Sequence, residues 1–233
     1  MNLSIMQPYL FPYIGYFQLI AESNMFVFYD DAQYMKGGWI NRNRIMAAGK
    51  PKFFKLPLKK DSTYKEIRHR EFSDEFEKSK MTILRQIQGN YRKAPCFDEC
   101  YDLISRCFEL NDHNVSRFVS GTVKLVCEHL NIKTEFKVSS DIEKNIDTKG
   151  LWRVLEINRV LGSRQYINPM GGSDLYDRKS FAEQGLALAF LQQQEITYSH
   201  FNGNAPLWLS IVDVLMFNSK GQVKEMLKMY ELV

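Results

Sequence analysis

Two carboxylates stand side by side at the end of a short apolar run, Met25-Phe26-Val27-Phe28-Tyr29-Asp30-Asp31, and are followed by Lys36-Gly37-Gly38-Trp39-Ile40-Asn41-Arg42-Asn43-Arg44. A carboxylate held beside an amine can take its proton, and lysine, arginine or amide side chains can hold the oxyanion or phosphate that lies next to it. Asp30 and Asp31 are therefore candidate general bases, and Lys36, Asn41, Arg42 and Asn43 candidate binders of anionic oxygen. Carboxylates at strand ends also make turns and helix caps, so a structural role stands beside the chemical one. His200, in Tyr198-Ser199-His200-Phe201-Asn202, is the histidine next to an expected cleft loop and the third candidate base; His69, His113 and His129 read as surface or helix-end residues.

Aromatic residues and prolines crowd the segment Gln7-Pro8-Tyr9-Leu10-Phe11-Pro12-Tyr13-Ile14-Gly15-Tyr16. Tyr9, Tyr13 and Trp39 offer flat faces on which a base or sugar can stack, or they wedge a helix onto a sheet. In a strand, Asn41 and Asn43 share one face and Arg42 and Arg44 the other; one polar face meets solvent, and a second points to a ligand. Pro169-Met170-Gly171-Gly172-Ser173-Asp174 follows a strand ending at Asn168, and Gly171 and Gly172 would let backbone N–H groups approach a phosphate. Pro12 to Tyr16 has the shape of the HxGH turn of adenylate-forming nucleotidyltransferases, with tyrosines in place of the histidines that stabilise the transferring phosphate. Neither GxGxxG nor GxxxxGK[ST] occurs. Asp213, inside the apolar run Leu209 to Phe217, must be paired or functional; Ser210 shares its face, and Arg42 or Arg44 are candidate partners.

The elements that must position these residues alternate in type. Strands are expected at Leu3–Gln7, Met25–Tyr29, Thr134–Val138, Gln165–Asn168 and Leu186–Leu191, four of the five being short apolar or β-branched runs of the kind buried in parallel sheets. Helical periodicity over 115–130 and 151–158 separates them. The expected fold is α/β: a mostly parallel, Rossmann-like (HIGH-nucleotidyltransferase-like) sheet with helices on both faces and a helical C-terminus. Ligands of such sheets sit beyond the carboxyl ends of the strands. Residues 39–111 break the alternation with a hairpin, Trp39–Met46 and Pro51–Leu58 about a Gly49 turn, and two helices carrying Phe76 to Tyr91 and Phe97 to Phe108. They read as an insertion in one α/β domain spanning 1–233. Asp74 with Glu77 and Ser219 with Gln222 have capping-box spacing, and Asn204 is placed to cap a helix over Leu207 to Phe217.

With 233 residues, 45% hydrophobic, the chain can bury a sizeable core. Met1 to Ile20 lacks the basic start of a signal peptide, and no uninterrupted apolar run suits a membrane span. Four cysteines without CxxC or CxxH spacing are expected to be reduced thiols rather than metal ligands, in a cytoplasmic protein. Thirty-one basic against 27 acidic residues leave +4, and so small a net charge with basic residues dispersed along the sequence argues against a nucleic-acid role and against binding DNA.

Five motifs together resemble the WbqC-like protein family: MQPYLFPYIGYFQLI at the start, then FYDD, KGGWINRNRI, YINPMGGSDLYD and LSIVDVLMFN. The resemblance spans almost the whole chain. It implies a place in bacterial surface-polysaccharide and O-antigen synthesis, where some members are described as glycine transferases. The implied reaction attaches an aminoacyl group, glycyl above all, to the amine of a dTDP- or UDP-linked amino sugar, from a donor such as an aminoacyl-tRNA or an aminoacyl adenylate. Asp30, Asp31 or His200 would take the amine proton, Lys36, Asn41, Arg42 or Asn43 would hold the oxyanion, and Arg42, Arg44, Gly171 and Gly172 the pyrophosphate. Gln7, Tyr9, Tyr13, Trp39 and Asn168 complete the expected substrate contacts. A carboxylate-activating nucleotide enzyme and a non-catalytic nucleotide-sugar binding protein, alone or as an oligomer, are the competing readings.

Overall fold

A computed structural model describes residues 1–62, 64–145, 147–201 and 203–233. In chain order the elements are β1 (Asn2–Met6), α1 (Ile14–Glu22), β2 (Met25–Phe28), β3 (Arg42–Ala47), β4 (Lys50–Lys55), α2 (Phe76–Tyr91), α3 (Phe97–Phe108), α4 (Val115–His129), β5 (Glu135–Val138), α5 (Gly150–Val160), β6 (Gln165–Pro169), α6 (Arg178–Ala182), β7 (Ala187–Gln193), β8 (Ser199–His200), β9 (Gly203–Asn204), α7 (Ile211–Phe217), α8 (Lys220–Met226) and β10 (Tyr230–Leu232).

Six strands form one sheet in the order β10-β7-β6-β1-β2-β5, all neighbouring pairs parallel except β10 with β7. Alternation along the strands divides the core into two layers. Leu3, Ile5, Met25, Val27, Tyr166, Leu188 and Phe190 pack with Val154, Leu155 and Ile157 of α5 and Phe181 of α6. Their neighbours Phe26, Phe28, Ile167 and Leu191 face the opposite way, into a larger cluster that takes in α1, α4, α7 and α8 and continues through Phe54 and Ile45 of the hairpin into α2 and α3. Helices thus cover both faces of a mostly parallel sheet.

The hairpin turns at Ala48 and Gly49, whose φ values of 50° and 74° are the left-handed pair required by a two-residue type I′ turn. The Ser219–Gln222 capping box forms. The Asp74–Glu77 box does not, because α2 starts at Phe76 and Glu75 occupies the N-cap without a side-chain bond. Near the C-terminus the helix starts at Ile211 rather than 207: Trp208, at φ 64°, cannot continue a right-handed helix, and Ser210 takes the cap by accepting the Val212 N–H. Tyr230, in the C-terminal stretch expected to be helical, belongs to β10, which pairs with the edge of β7. Among the described residues no helix is long and apolar enough to cross a membrane.

Candidate functional site

Strand order reverses between β1 and β6, so the crevice of this sheet opens where β1 and β6 end. The segment leaving β1 is held in a fixed, strained shape. Phe11 has a φ of 42°, uncommon for a bulky residue, and its carbonyl accepts hydrogen bonds from Asn43 Nδ2 (2.8 Å) and Ser210 Oγ (2.7 Å). Asn43 Nδ2 also donates to the Leu10 carbonyl (2.9 Å), the Leu10 N–H to the Trp39 carbonyl (3.0 Å), and the Ile211 N–H to the Pro12 carbonyl (2.9 Å). Hairpin and α7 together therefore fix the backbone from which Tyr9 and Tyr13 project.

These tyrosines line an aromatic cleft. A cavity of about 290 Å³ bounded by Tyr9, Pro12, Tyr13, Trp39, Asn43, Arg44 and Trp208 adjoins a second of similar size that shares Tyr13 and Trp208 and extends to Gln193 and Tyr198. Tyr13 meets Trp208 edge-on, ring centroids 5.1 Å apart. Burial raises the phenol pKa of Tyr9 and, with the nearby Tyr9, pushes that of Tyr13 up to about 12, so both present neutral hydroxyls at neutral pH. At the start of α1, a Cβ on Gly15 would lie 2.4 Å from Gln193 Oε1 and 2.4 Å from the Tyr13 ring, which explains the glycine there. Gln193 Oε1 is buried without a hydrogen-bond partner.

The hairpin separates its polar residues by face as the alternation predicts. Asn41 and Asn43 are buried, Asn41 donating to the Leu56 carbonyl (2.7 Å) and accepting from the Tyr34 hydroxyl (3.0 Å). They pin backbone, while Arg42 and Arg44 lie half-buried on the other face. The Arg44 guanidinium sits 5.4 Å from the Trp39 ring and donates to the Trp208 carbonyl (3.2 Å); that of Arg42 sits 4.6 Å from the Phe53 ring and donates to the Gly37 and Gly38 carbonyls. Beyond Arg42 opens a cavity of about 460 Å³ whose charged lining is Lys36, Arg42, Lys55, Lys59, Lys60 and Arg70 against Asp61 alone. Residues dispersed in sequence are thus gathered into one basic hollow, which also receives Asn41.

The three candidate bases occupy three environments, none of them on the aromatic cleft. Asp30 accepts from the Ser140 N–H (2.9 Å) and hydroxyl (2.8 Å) and borders a separate cavity of about 510 Å³ with Arg68, Ser120 and Lys124. Burial raises its pKa, against the lowering effect of the Ser140 bonds. Asp31 is enclosed between Lys144 (3.0 Å) and Arg153 (3.2 Å), all three side chains buried. His200 packs on Phe217, ring centroids 4.1 Å apart, with Nε2 3.5 Å from Asp213. Asp213, fully buried, accepts hydrogen bonds from the Tyr91 and Tyr198 hydroxyls rather than pairing with Arg42 or Arg44.

Gln7 offers its carbonyl to the Tyr16 hydroxyl (2.9 Å). Asn168 is the next-to-last residue of β6, accepting from the Tyr166 hydroxyl (3.1 Å) and crowding Gly172, where a Cβ would lie 2.0 Å from its Nδ2; Gly171 has open space around it. The structure therefore brings Tyr9, Tyr13, Trp39 and Asn43 together at the cleft and Lys36, Asn41 and Arg42 at the basic hollow. It keeps Asp30, Asp31, His200, Asn168, Gly171 and Gly172 apart from both. Trp208 was not singled out by sequence reasoning; the signal was a large aromatic beside Pro206 and just before a helix start.

Compared with known proteins, residues 7–225 match the model of the WbqC-like protein family. A Mycobacterium tuberculosis protein named "Uncharacterized protein Rv1507c" is 25% identical over 234 residues, covering 97% of each chain. No solved structure matches. With a match that runs from the start of the β1 loop to the last helix, the chain belongs to the WbqC-like protein family.

Proposed function

We propose that this protein is a transferase that attaches an aminoacyl group, glycyl above all, to the amine of a dTDP- or UDP-linked amino sugar for bacterial surface polysaccharide. The observation that carries the reading is the cleft of Tyr9, Tyr13, Trp39 and Trp208 at the carboxyl end of β1, with Arg44 beside it. Its aromatic walls suit a nucleobase and sugar, and its guanidinium suits a diphosphate. In the reaction the sugar amine attacks the activated carbonyl, a C–N bond forms, and the C–O bond to the donor's ribose or phosphate breaks. The amine proton passes to a base and the leaving oxygen takes one up. Asp30 fits the part of base best of the three candidates, because burial raises its proton affinity and it borders a cavity, whereas Asp31 is enclosed by two cations. Asp30 does not line the aromatic cleft, so the acceptor must reach between the two cavities.

The test is a thermal-shift screen of UDP- and dTDP-amino sugars against the bare nucleotides. A ligand at 100 times its Kd adds about 2.7 kcal/mol, which for a chain of this size raises Tm by roughly 5–10 °C. Stabilisation by the amino sugar beyond that of its nucleotide, followed by glycyl transfer seen by mass spectrometry, supports the reading. Stabilisation by ATP alone sinks it in favour of a carboxylate-activating enzyme, and binding without transfer from any donor leaves a sugar-nucleotide binding protein.

A further inference from the structure

We infer that the outer face of the β3–β4 hairpin, with the basic hollow beside it, binds the single-stranded end of an RNA; resting on the transferase reading above, that RNA is the carrier of the aminoacyl donor. Across the hairpin Arg42 pairs with Lys55 and Arg44 with Phe53, so cations and an aromatic ring share one face. Trp39 stacks on Phe53 with ring centroids 6.0 Å apart and planes 27° apart, the Arg42 guanidinium lies 4.6 Å from the Phe53 centroid, and Phe53 is still 53% exposed, so ring and cation are presented together at the surface. Arg42 and Arg44 flank this pair.

The hollow continues the same chemistry. Lys59 is neutralised by Glu71, and Asp61 is occupied by Lys65. Among the described residues Lys36, Arg42, Lys55 and Lys60 have no carboxylate within ion-pair distance, so several uncompensated cations surround one concavity. A groove of unpaired cations interleaved with stacking rings is what a single strand requires: phosphates along the charges, bases on the rings. A duplex keeps its bases stacked inside and offers the rings nothing. The aromatic cleft, sharing Trp39 with this face, lies next to where such an end would arrive. An aminoacyl ester on the terminal ribose would lose its C–O bond as the acceptor amine forms the C–N bond, and the freed ribose hydroxyl would take a proton.

Fluorescence anisotropy of a short labelled single-stranded RNA with a free 3′ end tests this, alongside a duplex of the same sequence and anionic phospholipid vesicles. Expected are preference for the single strand, a loss of about tenfold for Phe53→Ala, and, for Lys55→Ala/Lys60→Ala, a salt slope shallower by about 1.4 for two lost phosphate contacts. Both sites are exposed, and an unchanged Tm confirms that the variants fold. Equal binding of duplex, no effect of Phe53→Ala, or binding of vesicles but not RNA would each overturn the inference. Stabilisation by an amino-sugar nucleotide with no RNA binding overturns it while sparing the transferase reading. RNA binding with no response to any nucleotide sugar upholds the RNA face and removes its role as a donor site.

Discussion

The hydroxyl of Tyr198 donates a 2.7 Å hydrogen bond to Oδ1 of Asp213, a carboxylate with no exposed surface in the first turn of α7. Tyr91 of α2 donates to the other oxygen while accepting the Met46 N–H (2.7 Å) from the hairpin. Burial, with the negative charge of Asp213 adding to it, raises the pKa of both phenols, which keeps them protonated as donors. One acidic side chain thereby ties α7, the hairpin and the segment after β7, which contribute walls of the cleft, to α2 behind them.

Asp213→Ala is expected to destabilise the protein by about 3–5 kcal/mol, because two buried hydroxyls lose their acceptor and a cavity is left. That corresponds to a fall in Tm on the order of 10 °C. Calorimetry checks it; an unchanged Tm would mean that the hub does not hold these elements together.

The asparagines and arginines of the hairpin should separate by phenotype. Asn41→Ala leaves the Leu56 carbonyl and the Tyr34 hydroxyl without their partner, at a cost of about 1–3 kcal/mol. Arg44→Ala, on the half-buried face, is expected to lower nucleotide-sugar affinity while moving Tm much less. Chemical denaturation and ligand titration of the two variants settle the matter, and a reversed pattern would place the ligand on the asparagine face.

That pair shows what could be read from the chain. Alternation in Asn41-Arg42-Asn43-Arg44 put like residues on one face, because a strand has a period of two. Which face is buried depends on β4, α2 and the β1 loop, brought there by tertiary packing that no local pattern encodes. The five parallel strands were legible as short runs between helical patterns, four of them apolar or β-branched and β5 despite its two exposed charged residues, Glu135 and Lys137. β10 was not, since three residues become a strand only by finding the edge of β7. The partners of Asp213 were equally hidden; Tyr91 lies 122 residues away and outside any shared motif. The basic hollow was missed because charges were counted along the chain, whereas folding collects Lys36, Lys55 and Arg70 in space.

Asp30 gives a pH dependence with a definite sign. Its folded pKa is raised above the ordinary 3.8, chiefly by burial, so the native state binds this proton more tightly than the unfolded chain does. Stability contributed by Asp30 is therefore highest below 3.8 and is lost as pH rises through the raised folded value. Wild-type stability relative to Asp30→Asn should fall across that window, measured as urea midpoints at a series of pH values. A difference that is flat with pH, or that grows toward neutral pH, would contradict the burial argument.

Gly15→Ala should separate the cleft from the fold. The substitution favours α1 by up to about 1 kcal/mol in helix propensity, yet the new methyl meets Gln193 Oε1 and the Tyr13 ring, both at 2.4 Å. Each is the outer part of a side chain that can rotate, so the expected relief is a displaced Tyr13 that loses its edge contact with Trp208 rather than a broken helix. Tm should change by only a few degrees while the shift produced by a nucleotide-linked amino sugar shrinks or disappears. Gln193→Ala, which frees one of the two collisions, should restore part of that response when combined with Gly15→Ala. Unfolding of the single variant would show instead that the close approach at Gly15 is required by the sheet and α1 themselves, and that the glycine in this motif serves packing before it serves a ligand.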